Sequence, residues 1–248
     1  MKIAAIIPSR YGSTRFAGKP LAPIAGIPMI QRVYDQVKQA ICVTDIAVAT
    51  DDRRIVEAVT RFGGNALMTS AACRSGTDRA AEAAKQMGLA PEDIVVNIQG
   101  DQPLIAPQTI DETLAPLLSD PDLGMTTAAF AIMDKQEITN PKDVKMVFDA
   151  DGFALYFSRS PIPFARDKDT RFDTFKHLGI YAYTRRFLDI FTQLPNGVLE
   201  EIEKLEQLRA LEHSHRIKTV VTRYDSPEVD IPEDIPRIEA MMASMAAD

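Results

Sequence analysis

Apolar runs alternate with segments of helical periodicity along the first half of the chain. Short runs rich in β-branched residues predict strands over residues 3–8, 45–50, 65–68 and 93–99. Between them, apolar spacing and the glycines that follow some segments predict helices over residues 29–40, 53–62, 78–87 and 107–118. This order predicts an α/β protein with a mostly parallel sheet flanked by helices. Since ligands bind at the carboxyl ends of such strands, the loops after Ile7, Ala49 and Gln99 are expected at one edge.

The second half of the chain has shorter and less regular patterns. Strands are predicted over residues 144–148, 154–158, 179–184 and 219–223, with a turn at 149–152 and a helix over 199–211. Residues 161–176, rich in proline and charge, are predicted to form a loop. No change in composition marks a linker. We therefore predict one domain over residues 1–248, with an elaboration at about residues 150–200.

Composition limits the classes of protein to consider. The 248 residues, 46% of them hydrophobic, suffice for a sizeable core, and a formal net charge of −7 argues against nucleic-acid binding. The two cysteines, Cys42 and Cys73, make neither a disulfide framework nor a zinc motif. No apolar run reaches the ~20 residues that span a bilayer, and the amino terminus leads directly into a motif. A cytoplasmic protein without a membrane partner is expected.

The loop after the first predicted strand, PSRYGSTRFAGKPL, combines glycines, hydroxyls and cations. The spacing of Gly12 and Gly18 does not fit a P-loop, and Pro20 stands where that motif needs a hydroxyl. Glycine allows close approach of the backbone, and cations at a strand end favour phosphate, so an anion-binding loop is predicted. A solvated charged loop is the alternative, above all for Arg15. The candidate residues are Arg10, Ser13, Arg15 and Lys19.

Two aspartates are candidates for holding Mg²⁺. Asp101 follows a buried strand in NIQGDQP, beside a glycine that lets a ligand approach, and Asp230 lies far along the chain in EVDIPEDI. Carboxylate oxygens are ligands that Mg²⁺ prefers. Because strand-end aspartates often cap helices, capping is the alternative role for both.

Eight motifs stand in order along almost the whole chain: IPSRYGSTRFAGKPL, ATDD, SGTDR, NIQGDQPLI, ALYFSRSPIPFARD, KHLGIYAY, EKLEQLRALE and EVDIPEDI. Together they resemble the motifs of the sugar nucleotidyltransferases. More narrowly, they resemble the 3-deoxy-manno-octulosonate (Kdo) cytidylyltransferases. At two positions the chain departs from the family pattern, since Ala17 replaces the usual proline and Ile231 the usual threonine. Neither change removes a charged or metal-binding group.

The resemblance implies a Rossmann-like nucleotide-diphospho-sugar transferase fold with a sugar-binding and dimerisation elaboration, and a homodimer. It implies that CTP and Kdo give CMP-Kdo and diphosphate, which activates Kdo for lipopolysaccharide synthesis. Asp101 and Asp230 are implied as Mg²⁺ ligands, and Arg10 and Lys19 as triphosphate contacts. The implied cytosine contacts are Arg74, Ser75, Gly76 and Thr77, and the implied sugar contacts are Gln99, Arg159, His177, Tyr181, Glu206 and Gln207.

Other roles stay open when these residues are considered without the resemblance. Thr77 also fits a helix N-cap, His177 a structural histidine and Glu206 a solvated helix face. At the level of function, the alternatives are the 8-amino analogue of Kdo as acceptor, an N-acylneuraminate cytidylyltransferase, and a nucleotide-binding module without catalysis.

Overall fold

A computed structural model describes residues 1–12, 15–167 and 169–245. Its strands are β1 Ile3–Ser9, β2 Pro23–Ile24, β3 Ile27–Pro28, β4 Asp45–Thr50, β5 Ala66–Met68, β6 Ile94–Asn97, β7 Met125–Ala131, β8 Lys145–Phe148, β9 Ala154–Ser158, β10 Phe175–Thr184 and β11 Lys218–Thr222. Its α-helices are α1 Met29–Val37, α2 Arg53–Arg61, α3 Gly76–Gln86, α4 Pro107–Ser119, α5 Lys135–Thr139, α6 Arg185–Gln193, α7 Val198–Glu203, α8 Leu208–Glu212 and α9 Ile235–Met245. Single 3₁₀ turns cover Lys19–Leu21 and Pro232–Asp234.

The main sheet of the described chain is mixed, with strand order β11–β7–β10–β6–β1–β4–β5. β1 pairs in parallel with β4 and β6, β4 with β5, and β11 with β7. β10 runs antiparallel between β6 and β7, and also pairs with β8, which pairs with β9. β2 and β3 form a separate hairpin. The carboxyl ends of β1, β4 and β6 thus lie at one edge, as predicted.

The continuous apolar sequence of β1 follows from its position in the centre of the sheet. Alternate side chains enter two different cores: Ile3, Ala5 and Ile7 pack with α1, α2 and α4, while Ala4 and Ile6 pack on the opposite face with α3. Strands buried on both faces lose the polar alternation of half-exposed strands. Full burial of each large aliphatic side chain contributes about 1.5–3 kcal/mol.

Most elements of the first half are where the sequence predicts them, but three elements beyond residue 118 were missed: β7, α5 and α6. β10 also begins at Phe175, four residues before the predicted strand, because its register shifts between His177 and Tyr181 and masks the alternation. The predicted helix over residues 199–211 is wrong. Lys204 adopts a left-handed conformation, with φ of 54°, and separates α7 from α8.

No helix in the described ranges is both long and apolar enough to cross a membrane.

Candidate active site

Lys19 connects the opening loop to both candidate metal ligands. Its Nζ lies 2.6 Å from Asp101 Oδ2 and 3.9 Å from Asp230 Oδ1. It also donates a 2.9 Å hydrogen bond to the carbonyl of Val229. The carboxylates of Asp101 and Asp230 therefore share one ammonium group at the carboxyl edge of the sheet. In the described chain neither carboxylate caps a helix: the N-cap of α4, the helix after Asp101, is Ala106, and the N-cap of the 3₁₀ turn after Asp230 is Ile231. Asp234 accepts the backbone N–H groups of Asp230 and Ile231.

The backbone around Lys19 holds the ammonium in place. Gly18 has a φ of 73°, a left-handed conformation that favours glycine. A Cβ at this position would lie 3.1 Å from the ring of Tyr11, and Gly18 N–H donates to Tyr11 O at 2.9 Å. Val229 N–H donates to Asp101 O at 3.0 Å, which joins the segment before Asp230 to the loop that follows β6.

The other cations of the opening loop differ in their contacts. Arg15 Nη1 lies 3.1 Å from Asp230 Oδ2, and its side chain is 62% exposed. Arg10 is exposed and makes no hydrogen bond or ion pair with the described residues. The predicted contact Ser13 lies outside the described residues. Beside the anchored Lys19, the loop therefore presents the guanidinium groups of two largely exposed side chains, Arg10 and Arg15.

The predicted cytosine contacts form the amino-terminal turn of α3, next to the end of β1. Ser75 is the N-cap and its Oγ accepts the backbone N–H of Asp78 at 3.1 Å, so the alternative of an N-cap at Thr77 is wrong. A Cβ at Gly76 would lie 3.4 Å from Pro8 Cγ. Arg74 is exposed and pairs with Asp78 at 2.9 Å.

Glu206 links this turn to the segment between α7 and α8. Its carboxylate accepts the hydroxyls of Ser75 and Thr77, both at 2.7 Å, and lies 3.7 Å from Arg209. Burial raises the pKa of Glu206, and the two hydroxyl donors oppose that effect. The solvated helix face considered for this glutamate is therefore wrong. Arg209 is held in turn by Glu200 at 2.5 Å.

His177 lies on β10 and is held by a threonine. Thr127 Oγ1 donates to Ile180 O at 2.7 Å, so it accepts from His177 Nε2 at 2.8 Å. This assigns the proton to Nε2 and leaves Nδ1 as an acceptor. Burial lowers the pKa of His177 to about 3, so the ring is neutral at neutral pH.

The wall beside His177 carries three more of the predicted sugar contacts. The ring of Tyr181 lies 5.1 Å from that of His177. Gln99 Nε2 donates to Gly179 O at 3.1 Å, inside the irregular part of β10. Gln207 is buried, and its Nε2 has no hydrogen-bond partner within the described chain.

The guanidinium of Arg159 is occupied by main-chain carbonyls. Nε donates to Glu203 O at 2.7 Å, Nη1 to Pro141 O at 2.9 Å and Nη2 to Lys204 O at 3.4 Å. These bonds join the end of β9 to the corner between α7 and α8 and to the loop before β8. Arg159 therefore shapes this part of the site in addition to lining it.

A cavity of about 850 Å³ collects most of the predicted acceptor side of the site. Lys19 adjoins it through Asp101 and Asp230, whereas Arg74 and Ser75 line a separate cavity of about 260 Å³. Glu206 lines both cavities and so forms part of the wall between them. The predicted residues that line the larger cavity are Arg15, Gln99, Asp101, Arg159, His177, Tyr181, Glu206, Gln207 and Asp230.

Glu228 lines the same cavity and was missed by sequence reasoning. Its Oε1 accepts from Gln102 Nε2 at 3.3 Å. Burial of the carboxyl group, together with the negative charges of Asp101 and Asp230, raises the pKa of Glu228 to about 8. The signal in the sequence was an acid two residues before Asp230, which by itself does not distinguish a surface residue from a site residue.

Comparisons with known proteins identify the family of this chain. Residues 4–217 match the family of cytidylyltransferases. The chain belongs to this family. A 3-deoxy-manno-octulosonate cytidylyltransferase of Desulfatibacillum aliphaticivorans is 66% identical over 242 residues, which are 98% of this chain and 99% of the relative. An 8-amino-3,8-dideoxy-manno-octulosonate cytidylyltransferase of Shewanella piezotolerans is 55% identical over 98% of this chain and 99% of the relative.

Solved structures of cytidylyltransferases share the fold. A CMP:2-keto-3-deoxy-manno-octonic acid synthetase complexed with CTP superposes with a TM-score of 0.92 at 42% identity, covering 99% of this chain and 100% of that one. A cytidylyltransferase of Leptospira borgpetersenii, 17% identical, superposes with a TM-score of 0.66 over 98% of this chain and 87% of its own. The second similarity concerns the fold alone.

Proposed function

We propose that this cytidylyltransferase transfers CMP from CTP to the anomeric hydroxyl of Kdo and releases diphosphate. The observation that carries the proposal is the convergence of Lys19, Asp101 and Asp230 at a cavity that is also lined by His177 and Tyr181. The 66% identical relative supports Kdo as the acceptor.

The cations of the opening loop are proposed to bind the triphosphate. In this reaction the sugar hydroxyl attacks the α-phosphorus, and negative charge grows on the nonbridging and leaving oxygens. Catalysis then depends on positioning and on neutralising charge. Lys19 supplies an anchored point charge, while Arg10 and Arg15 supply planar guanidinium groups on an exposed loop.

Asp101 and Asp230 fit a magnesium ion. Mg²⁺ is commonly held by one or two carboxylates together with phosphate oxygens, and these two carboxylates already share one cation, the ammonium of Lys19. When bound, Mg²⁺ would stabilise negative charge on phosphate and lower the pKa of the attacking hydroxyl. The residues of the chain hold and orient it, and no histidine base is required.

The turn that begins α3 is proposed to bind the cytosine base of CTP. The hydroxyls of Ser75 and Thr77 are committed to Glu206, so selection against uracil falls to backbone groups at Ser75 and Gly76 and to Arg74. The neutral His177, with Nδ1 as acceptor, suits a sugar hydroxyl. Gln99, Arg159, Tyr181 and Gln207 are proposed to complete the acceptor site.

The test is an assay of diphosphate release with CTP, Mg²⁺ and Kdo. The wild-type enzyme is expected to release diphosphate and form CMP-Kdo, which a nucleotide-binding module would not do. Asp101→Ala should abolish turnover with an unchanged circular dichroism spectrum. Full activity in Asp101→Ala would refute the metal assignment, and turnover of N-acylneuraminate in place of Kdo would refute the acceptor.

The assembly, compartment and pathway are also proposals. Leu155 of β9 and Val198 and Ile202 of α7 are 60%, 72% and 73% exposed, and Ser158 Oγ bonds Glu203 between these two elements. Phe157, two residues after Leu155 in β9, is buried instead. We propose that the exposed residues form a homodimer interface in the cytoplasm, where CMP-Kdo supplies lipopolysaccharide synthesis. Light scattering of wild type and Ile202→Glu tests the dimer.

A further inference from the structure

β10 contains a bulge at the wall proposed to bind the acceptor. His177 pairs with Ala129 of β7 and Tyr181 pairs with Thr127, so the three residues 178–180 of β10 lie opposite a single residue of β7. Bulges redirect side chains and are common beside active sites. Because residues 178–180 leave the regular pairing with β7, their carbonyl groups need other hydrogen-bond partners.

The bulge brings two side chains of this wall together. Residues four apart in a regular strand are separated by roughly 13 Å, whereas residues two apart on one face are separated by roughly 7 Å. The partners of His177 and Tyr181 on β7 are only two residues apart, so the shorter spacing applies. The centroids of the two rings lie 5.1 Å apart, and both side chains line the large cavity. The ring pair therefore depends on the bulge.

Side chains from outside β10 hold three consecutive carbonyl groups of the bulge. Two of the donors are glutamine amides in the loop after β6, and the third is a threonine hydroxyl of β7. A carbonyl oxygen only accepts hydrogen bonds, so both amide nitrogens must face the bulge. These three side chains form a clamp, with bonds from Gln102 Nε2 to Leu178 O at 2.5 Å, from Gln99 Nε2 to Gly179 O at 3.1 Å and from Thr127 Oγ1 to Ile180 O at 2.7 Å.

Gly179 allows the chain to turn inside the clamp. Its φ is 70°, a left-handed conformation that favours glycine. A Cβ at this position would lie 3.4 Å from Gln99 Cγ and 3.5 Å from Gln102 Nε2. The two glutamine side chains therefore pack directly against the backbone of the bulge.

Two members of the clamp lie behind the wall of the cavity. Gln102 and Thr127 are fully buried, and neither is among the described residues that line the large cavity, whereas Gln99 lines it. Gln102 directly follows the candidate metal ligand Asp101. Thr127 also accepts from His177 Nε2 at 2.8 Å. The clamp thus connects the loop that carries Asp101 to the wall that carries His177.

We propose that Gln102 and Thr127 are positioning residues for the acceptor, because they hold the bulge that places His177 and Tyr181 relative to Asp101. This inference rests on the proposed function, which assigns His177 and Tyr181 to the acceptor site. Neither positioning residue touches the substrate. Transfer requires close approach of the sugar hydroxyl to the α-phosphorus, and a displacement of about 1 Å can cost about a hundredfold in rate.

Thr127→Val keeps the shape of the side chain and removes its hydroxyl. The KM for Kdo is expected to rise and kcat/KM for Kdo to fall roughly tenfold to a hundredfold, because Ile180 O and His177 Nε2 lose their partner. The KM for CTP should stay within about twofold of wild type, and Thr127→Ser should retain most of the wild-type activity. Thr126→Val is the matched control, since Thr126 is equally buried and its Oγ1 also donates to a carbonyl, that of Thr113, at 2.7 Å.

Gln102→Met removes the amide, keeps a side chain of similar length and leaves Leu178 O without its donor. It should give the same pattern, a fall in kcat/KM for Kdo of roughly tenfold with an unchanged KM for CTP. Gln86→Met is the control, because exposed Gln86 also donates to a strand carbonyl, that of Met68, at 2.9 Å and lies outside the described lining of both cavities. No kinetic constant should change by more than about twofold in this control.

Nuclear magnetic resonance of ¹⁵N-labelled histidine tests the clamp without an activity assay. In wild type the ring proton of neutral His177 should be on Nε2 and hydrogen-bonded. Its resonance should move upfield in Thr127→Val, which lacks the acceptor, and stay in place in Thr126→Val. A proton on Nδ1 of His177 in wild type would contradict the clamp, and this measurement needs no variant to fold.

The kinetic pattern separates positioning from a loss of folded enzyme. A smaller folded fraction lowers kcat and leaves both KM values unchanged, and that result in Thr127→Val and Gln102→Met overturns the inference. Wild-type kinetics in these two variants, or an equal loss in Thr127→Ser, also overturns it. In each of these cases wild type still uses Kdo, so the proposed function stands. A wild-type enzyme that does not turn over Kdo removes the proposed function and this inference together.

Discussion

At the scale of single residues, charge pairing explains how this acidic chain builds a site for anions. The chain carries a net charge of −7, and the cavity itself is lined by many carboxylates. Lys19 is anchored between two of these carboxylates, Arg15 contacts Asp230 but is largely exposed, and Arg10 is exposed. The local excess of cations in one loop, rather than the total charge, allows a triphosphate to bind.

Lys19→Ala is expected to reduce kcat/KM for CTP by roughly tenfold to a hundredfold, because it removes a charged hydrogen-bond donor from the phosphates. The KM for the acceptor should change much less. Steady-state kinetics with each substrate varied in turn measures both quantities. Lys38→Ala, at an exposed position directly after α1 that lines neither cavity, is the control. A defect restricted to the KM of the sugar would contradict the role of Lys19.

His177 is expected to make stability depend on pH. Burial lowers its pKa to about 3 in the folded protein, from an ordinary value of 6.5. Between these values the unfolded chain binds the additional proton, so the free energy of unfolding should decrease as the pH falls from about 6.5 towards 3. Urea denaturation across this range should show a shallower pH dependence for His177→Gln than for wild type. Parallel pH profiles would exclude a buried neutral His177.

At the scale of elements, the corner between α7 and α8 shows why local patterns were insufficient. Residues 199–211 have continuous helical character in sequence, yet Lys204 is left-handed and α8 begins at Leu208. The corner brings Glu206 to the amino terminus of α3 and the carbonyls of Glu203 and Lys204 to Arg159. These partners are remote in sequence, so tertiary contacts override the helical propensity.

Lys204→Gly is expected to stabilise the protein relative to Lys204→Ala by about 1 kcal/mol, since a left-handed conformation costs about that much for residues with a Cβ. Thermal or urea unfolding gives the difference. The same pair of substitutions at Glu201, inside α7, is the control, and there glycine should be less stable than alanine by about 1 kcal/mol. The same order at both positions would contradict the break at Lys204.

Arg159→Lys is expected to lower the free energy of unfolding by about 1–3 kcal/mol. The planar guanidinium of arginine donates to three carbonyls at once, whereas the single ammonium of lysine cannot reach all three. Arg166→Lys, on an exposed loop, should change stability by less than about 0.5 kcal/mol. Equal stabilities of the two variants would show that the carbonyl contacts of Arg159 do not contribute.

At the scale of the whole molecule, the site is assembled from segments across the entire chain. Lys19 follows β1, Asp101 follows β6 and Asp230 follows β11, and the parallel pairing of β1 with β6 brings the first two to one edge. Val229, which bonds to both Lys19 and Asp101, brings in the third. Binding at this junction should therefore stabilise the complete fold.

CTP with Mg²⁺ is expected to raise the melting temperature of wild type, since a ligand at a hundred times its Kd adds about 2.7 kcal/mol to the stability of the folded state. Asp101→Asn should lose most of the shift that depends on Mg²⁺. Differential scanning fluorimetry, with Mg²⁺ alone and CTP alone as controls, measures it. A full shift in Asp101→Asn would contradict the metal assignment.

The sequence by itself determined the parallel β/α half of the fold and the identity of the candidate chemical groups. Strands buried on both faces need continuous apolar runs, and phosphate and metal binding need particular side chains, so both leave local signals such as PSRYGSTRFAGKPL and NIQGDQP. The tertiary structure decided the irregular β10, the break at Lys204, the carbonyl contacts of Arg159 and the position of Glu228. Each of these depends on a partner that is distant in sequence, and short-range periodicity carries no information about such partners.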